Sequence, residues 1–532
     1  MTTPSARGES ALNATPANSS PLILRGKIVP MTGAVIAYGA VYCRHGEIEF
    51  VRSAGEPIPA GYDSATKLET NGVIYPGLID LHSHLNYNVL PLWNPPKAYD
   101  DRYQWRRDSR YKQAVTQTMQ RIVAKKLSFP VIRYVETRLL VGGTTASQGM
   151  PLRNAAAYRG MVRNFERTDD PKYPAIATEL EDWAEIRSDS DRTAMREQIE
   201  AGQRFFHHLA EGRKGGAPKA YEDIKRENLL LPNYVGIHCT GLTGSDYDYF
   251  AGKRAKAVWS PTSNFLLYGA TVEIERFIAS GVRWGLGSDW SPSGPKNLLG
   301  EMKMAWLAAK DAGVRLDYET LAKSVTLHAA EVLGWDERLG KIAPACGADL
   351  LVLKSTFADP YENLVRATER DIVLVTIEGV PRYGDEALML RTGIPSEKLE
   401  PCTIAGRKRR IYFEHPDALP AMNALSLGKA TAALEAGMAD LASPAPPEFL
   451  KSFSLPDAEL ELELDMDTPP SEANFADEGT SKMKILAADP LPPLTSVPLS
   501  KLTAVDDPGF FDAMEAIPDR PNFLRELRRF YF

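Results

Sequence analysis

In the stretch YPGLIDLHSHLNYN, which begins at Tyr75, two histidines stand two residues apart where an apolar run stops. Val73–Tyr75 and Leu78–Ile79 read as a buried strand broken by Pro76-Gly77, with Asp80, His82 and His84 at its end. Residues i and i+2 of a strand face the same side. Both imidazoles therefore project toward one point, as a metal ion requires. A His-x-His pair alone is more often an ordinary loop feature, so the remaining histidines decide.

The chain holds eight histidines, and five of them (His82, His84, His207, His208 and His238) fall at the ends of apolar, strand-like runs. His207 and His208 are adjacent and must face opposite sides of a strand. His208 is the better candidate, because HHLAEG sets Glu211 three residues further on, just past the strand end; His207 then faces a helix layer. His238 closes GIHC, and Asp289 closes GLGSDW, where glycines permit close approach. Read alone, Asp289 would serve equally as a helix N-cap. Three histidines and a carboxylate together suit zinc or a similar divalent ion with one position left for water. Such an ion lowers the pKa of its water toward neutrality. One carboxylate can then accept a proton and a second can deliver one to a leaving group, and Asp289 and Glu211 fit those two tasks.

The elements that must position these residues follow from the apolar pattern. From about Gly72 to Trp335, strand-like runs (GLIDLH, TRLLVGGTTASQG, GMVRNF, QRFFHHLAE, NYVGIHC, KAVWSPTSN, VRWGLGSD) alternate with helical stretches such as VTQTMQRIVAKKL and NLLGEMKMAWLAAKDAG. YPAIATELED is the candidate fourth strand. Alternation on this scale predicts an α/β fold, a (β/α)8 TIM-like barrel over residues 72–335, whose strand ends carry the active site. Short strands in 21–71 and again in 336–415 predict a composite β-sandwich built from both flanks. Residues 1–20 read as a disordered lead-in. A C-terminal extension, 416–532, carries a helical patch and then a Pro-rich, acidic stretch (LPDAELELELDMDTPPSEANFADEGT) that reads as a linker or a segment wrapped on the surface. The closing PNFLRELRRFYF reads as a short helix docking its aromatic face on the body or on a second subunit.

Composition bounds the partners. A 532-residue chain with 44% hydrophobic and 25% charged residues has the make-up of a globular protein of two or three domains. A net charge of −7 gives no basic footprint for nucleic acid and no polybasic membrane patch. No apolar run approaches the ~20 residues of a membrane span, and the first residues lack the apolar core of a signal peptide. Four scattered cysteines without a C-x-x-C suggest neither a disulfide framework nor a thiolate zinc site. A cytoplasmic protein acting on a small-molecule substrate is expected, with self-association left open.

In the order PGLIDLHSHL, HHLAEG, GIHCTGL, SPTSNFLLYG and GLGSDWS, the motifs resemble those of the amidohydrolase superfamily, in its cytosine deaminase, guanine deaminase and triazine hydrolase branch. The resemblance spans roughly Leu22 to Glu414. It implies that His82, His84, His208 and Asp289 bind the metal, with Asp289 doubling as proton shuttle. It also implies that His238 orients the hydroxide or the reacting atom, and that Glu211 protonates a ring nitrogen. Binuclear members carry a carboxylated lysine on the fourth strand. The one lysine near YPAIATELED is Lys172, three residues before the apolar stretch, so a single ion is expected, zinc favoured and iron the alternative.

Two features bear on the substrate. The segment YNVLPLWNPPKAYDDRYQWRRDSRY brings Trp93, Tyr99, Tyr103, Trp105 and Tyr111 together with Arg102, Arg106 and Arg107, either as a pocket cover or as a packed surface loop. Trp290 follows Asp289 where relatives often carry a small residue, which narrows a pocket. Ser263 and Asn264 read as turn residues capping the seventh strand, and His328 as structural. The expected activity is hydrolytic: metal-bound hydroxide attacks a C=N or C=O carbon of a cyclic or heteroaromatic substrate and releases ammonia or an amine. The alternatives are hydrolysis of a cyclic amide or another non-peptide C–N bond at the same site, and a non-catalytic barrel scaffold.

Overall fold

The computed structural model describes residues 21–149, 161–166, 168, 170–183, 186, 188–213, 216–443, 462, 464–467 and 494–532. The expected lead-in at 1–20 and most of the acidic, Pro-rich stretch lie outside them.

Both flanks of the chain contribute to one nine-stranded sheet. Its strands from the N-terminal side are β1 (Leu22–Ile28), β2 (Ile36–Arg44), β3 (Glu47–Ser53) and β4 (Thr66–Pro76). Those from the other side are β13 (Leu350–Lys354), β14 (Ile372–Ile377), β15 (Val380–Asp385), β16 (Leu399–Ile404) and β17 (Arg407–Tyr412). The two sets meet at β4, which pairs parallel with β1 and antiparallel with β13, Tyr75 opposite Leu351. Leu24, Val41, Ile74, Val352 and Leu374 bury the sheet's apolar side.

β4 passes directly into β5 (Leu78–Asp80), the first of eight short strands. Gly77 makes that passage tight: a Cβ there would lie 2.1 Å from Thr145 Oγ1. The other seven are β6 (Thr144–Ser147), β7 (Arg163–Asn164), β8 (Ala177–Glu179), β9 (Phe205–Leu209), β10 (Tyr234–His238), β11 (Lys256–Trp259) and β12 (Arg283–Leu286). β5–β6–β7 pair in parallel, as do β8 through β12 in sequence order. At one seam Ser83 and Asp289 form a parallel bridge, and Leu81 N–H donates to Leu286 O at 3.3 Å. At the other, Ile176 N–H donates to Phe165 O at 2.9 Å. Ile79, Leu81, Ala146, Phe206, Ile237 and Val258 from these strands belong to one buried apolar cluster. Helices such as Asp189–Glu200, Ala217–Arg226, Ser245–Gly252 and Leu298–Asp311 connect or follow the strands.

Two sequence expectations need correction. TRLLVGGTTASQG is not one strand: Thr137–Val141 ends the helix Ser128–Val141, and only Thr144–Ser147 is extended. Every residue of that helix is buried, so it has no solvent-exposed face to mark a helical period. Ser263 and Asn264 are not turn residues; they lie inside the helix Pro261–Tyr268, whose Pro261 stands in its first turn.

The extension packs on the body. Helix Leu427–Ala439 lies against Ser128–Val141, and buried Arg133 Nε donates to Leu425 O at 3.0 Å. Ser500 N–H donates to Val89 O at 2.9 Å, beside the turn that follows His84. Phe523 meets Phe265 edge-on at 5.1 Å, which is the docking on the body expected of the last run. Of the acidic stretch, Leu462, Leu464 and Met466 lie among the described residues and are buried. Among the described residues no helix is long and apolar enough to cross a membrane.

Candidate metal centre

His82 and His84 follow β5, and the backbone of Asp289 is zipped between them. Asp289 N–H donates to His82 O, and His84 N–H donates to Asp289 O, both at 2.8 Å. Gly287 is needed for that approach, since a Cβ there would lie 2.5 Å from His82 Cβ. Asp80 latches the same seam by accepting from the Ser288 N–H at 2.9 Å and from its hydroxyl; burial pushes its carboxyl up to about 6, against those bonds. Asp289 is therefore no helix N-cap. It takes a left-handed backbone at φ 59°, as do His238 at 69° and Ala210 at 51°. Non-glycine residues held this way cost about 1–3 kcal/mol each, a strain that gathers at functional sites.

Four imidazoles converge there, all buried. His82 lies 4.8 Å from His84, 4.7 Å from His208 and 5.2 Å from His238, centroid to centroid. Asp289 Oδ1 is 3.2 Å from His82 Nε2 and 3.5 Å from His84 Nε2. Ligand atoms of His82, His84 and His208 lie within 4.8 Å of one another, as do those of His82, His238 and Asp289, and of His208, Glu211 and His238. This donor set fits a divalent cation. Burial, then the neighbouring positive charges, holds His208 well below the usual imidazole range, and burial brings His238 down to about 4. Neutral imidazoles are the form that binds metal. His208 Nδ1 is buried with no hydrogen-bond partner among the described residues.

The partners on the far side of each ring sort the histidines by role. His82 Nδ1 faces Gln148 Oε1 at 2.7 Å, and His84 Nδ1 faces Asp465 Oδ2 at 2.6 Å. An oxygen acceptor at Nδ1 puts the proton there and leaves Nε2 as a lone pair toward Asp289. His238 is the reverse. The Trp259 indole, which can only donate, gives to Thr271 Oγ1 at 2.7 Å, and Thr271 gives to Asn264 Oδ1 at 3.0 Å. That fixes the Asn264 amide, whose Nδ2 donates to His238 Nδ1 at 3.0 Å. The His238 proton therefore sits on Nε2, 3.9 Å from Glu211 Oε2. His238 offers a donor where His82 and His84 offer lone pairs.

Glu211 lies just past β9, held by the Tyr268 hydroxyl at 2.6 Å, with Arg102 Nε 3.7 Å away. Trp105 Nε1 donates to the same tyrosine oxygen at 2.7 Å. The aromatic segment lies beside Glu211: Asp101 pairs with Gly212, and Arg102 N–H donates to Glu211 O at 3.2 Å. Trp105 and Tyr111 pack on Trp290, which meets His84 at 5.6 Å. Arg102 is committed to Glu211 and the Leu180 carbonyl.

All six expected site residues, His82, His84, His208, Glu211, His238 and Asp289, are brought together. His207 turns away, to the Tyr234 hydroxyl at 2.6 Å, and His328 lies on the helix Leu327–Leu333. Lys172 pairs with Glu47 at the start of β3. Sequence reasoning missed Gln148, Asn264, Tyr268 and Asp465. Asn264 and Tyr268 sit four apart on one helix, a spacing that puts both on the face toward the site. Gln148 follows β6 directly, a strand-end signal like that of the histidines. Nothing local marks Asp465.

The Amidohydrolase family model matches residues 226–381, which bears out the resemblance seen in the motifs. Among similar proteins, the 5-methylthioadenosine/S-adenosylhomocysteine deaminase of Moorella thermoacetica is 22% identical over 369 residues, 61% of this chain and 83% of the relative. Its namesake from Desulfitobacterium hafniense is 23% identical over 416 residues, 70% of this chain and 95% of the relative. Among solved structures, a zinc-bound adenosine deaminase from Xanthomonas campestris superposes with a TM-score of 0.54 at 18% identity, over 68% of this chain and 93% of that one. Guanine deaminase of E. coli gives 0.55 at 17%, over 69% of this chain and all of that one. Triazine hydrolase of Arthrobacter aurescens gives 0.54 at 14%, over 68% and 94%. At these identities the structural likeness speaks for the fold.

Proposed function

We propose that this protein is a mononuclear metal-dependent hydrolase that removes an amino group from a heteroaromatic ring. His82, His84, His208 and Asp289 would hold one divalent ion, zinc before iron. The ion's contribution, when bound, is a Lewis acid that makes water nucleophilic near neutral pH. Asp289 accepts the proton that water gives up. Glu211 delivers a proton to the ring nitrogen beside the attacked carbon, and His238 holds the incoming oxygen through its Nε2–H. Asp289 passes its proton on to the amino nitrogen, the C–N bond breaks and ammonia leaves, while the proton of the new hydroxyl returns to Glu211 and a keto group (or its hydroxyl tautomer) remains.

The observation that carries this reading is the second carboxylate. Glu211 stands on the His238 side of the cluster, held by Tyr268, while Asp289 Oδ1 lies 3.2 Å from His82 Nε2. Separate carboxylates let one accept a proton while the other donates. The names of the relatives make aminopurines and aminotriazines the first substrates to try. The fold reading that goes with this is a closed (β/α)8 barrel over 72–335. A composite β-sandwich (21–71 and 336–415) and a C-terminal extension (416–532) flank it.

Metal content measured by mass spectrometry on wild type and His208→Ala, with ammonia release assayed alongside, tests the proposal. One metal per chain in the wild type, lost with activity in the variant, is expected. Two metals, or a metal-free wild type, would overturn it.

A further inference from the structure

His84 takes its orienting partner from outside the strands that carry the other site residues. Asp465 Oδ2 is 2.6 Å from His84 Nδ1, across 381 residues of sequence. The carboxylate is itself braced, since its other oxygen, Oδ1, accepts the following N–H, that of Met466, at 3.0 Å. Leu462, Leu464 and Met466 on either side are buried at 1, 9 and 5% exposure, so apolar burial docks the segment and the charge is carried in with it. The chain before this stretch and the chain after it pair with each other. Leu441 N–H donates to Thr495 O, and Val497 N–H to Met438 O, each at 2.9 Å. Arg121 Nη1 donates to the carbonyls of Leu441 and Leu494 at 3.2 and 3.4 Å.

Building on the metal site read above, we propose that Asp465 is a positioning residue through which the C-terminal extension completes the metal centre. Its carboxylate keeps the His84 proton on Nδ1 and turns the Nε2 lone pair toward Asp289 and His208. Gln148 does the same for His82 from β6, so one orienter comes from the barrel strands and the other from the extension. Carboxylate partners of this kind raise the basicity of a ligating imidazole, and their loss typically costs about 10–100-fold in metal affinity. Coupling runs both ways: bound metal holds Asp465 and the buried Leu464 and Met466 beside it in place, and their release weakens the metal.

Zinc affinity measured by chelator competition on the full chain tests this. Asp465→Asn keeps the shape but loses the charge, and it should bind zinc about 10–100-fold more weakly. Asp465→Glu should recover part of the loss. A Leu462→Ser, Met466→Ser double variant, with Asp465 intact but its apolar anchors removed, should show a similar weakening. Melting of each metal-free variant at the wild-type temperature excludes a general folding defect. Zinc affinity in Asp465→Asn within twofold of wild type would overturn the proposal. So would faster turnover at unchanged affinity, the mark of an inhibitory plug. A wild type that binds no zinc would instead sink the metal site itself.

Discussion

Tyr268 Oη lies 2.6 Å from Glu211 Oε1 and receives the Trp105 indole N–H at 2.7 Å, so the aromatic segment that carries Trp105 is tied to the candidate acid through one hydroxyl. Burial, then the Glu211 charge, drives the Tyr268 phenol well above its ordinary range, so it stays a proton donor. Glu211→Gln should lower kcat by about 10²–10⁴-fold with metal content kept. Tyr268→Phe removes one bond to a charged group, about 1.5–3 kcal/mol, and should cost roughly 10–100-fold in kcat. Metal loss in either variant would mean that Glu211 is a ligand and not an acid.

The Trp259–Thr271–Asn264 relay makes a tautomer prediction. Asn264→Asp replaces a donor with an acceptor, moves the His238 proton to Nδ1 and removes it from Nε2. A wrong histidine tautomer at an intact site can cost up to about 10⁴-fold in rate. Asn264→Asp should therefore lose ~100-fold or more, and more than Asn264→Ala, with zinc content unchanged. If the alanine variant were the worse of the two, the relay would be merely structural.

Metal should also be legible in stability. A ligand that binds only the folded state adds about 4 kcal/mol at a thousand times its Kd. Stripping the metal with a chelator should lower Tm, and zinc should restore it in wild type but not in His208→Ala. An identical response in the variant would remove His208 from the donor set.

Away from the site, Lys296 is buried, 2.8 Å from Asp507 Oδ2 and 2.7 Å from Ser500 Oγ. Burial and then the Arg138 charge bring its amine from an ordinary 10.5 down to about 7, with Asp507 pulling the other way. Between those two values the unfolded chain holds the proton and the folded chain does not. The lysine's contribution therefore rises with pH across that window, by at most about 1.4 kcal/mol per unit. The Tm of wild type minus that of Lys296→Met should climb between pH 7 and 9.5. Parallel profiles would mean the amine stays charged beside Asp507.

The residues that meet the candidate ion were readable because each ends a strand, and period-two alternation with a polar stop is a local signal. The residues behind them were less so. Asn264 was misread because Pro-x-Ser-Asn after a strand resembles turn chemistry, whereas here the proline opens a helix. The end of the buried helix Ser128–Val141 passed for a strand because TRLLV is a short, mostly apolar run, and no face of that helix is exposed. Asp465 illustrates what sequence cannot give. Its meeting with His84 depends on the folded path of the extension and on the burial of Leu462, Leu464 and Met466, and an acidic, Pro-rich composition points the other way.

The most direct test of the deaminase reading is product identification by mass spectrometry, with ammonia quantified, after metal-loaded protein meets a panel of aminopurines and aminotriazines. Exchange of one ring amino group for a hydroxyl, with an equivalent of ammonia and no product from Glu211→Gln, is the predicted result. Ring-opened carboxylates, or no product from any member of the panel, would contradict it.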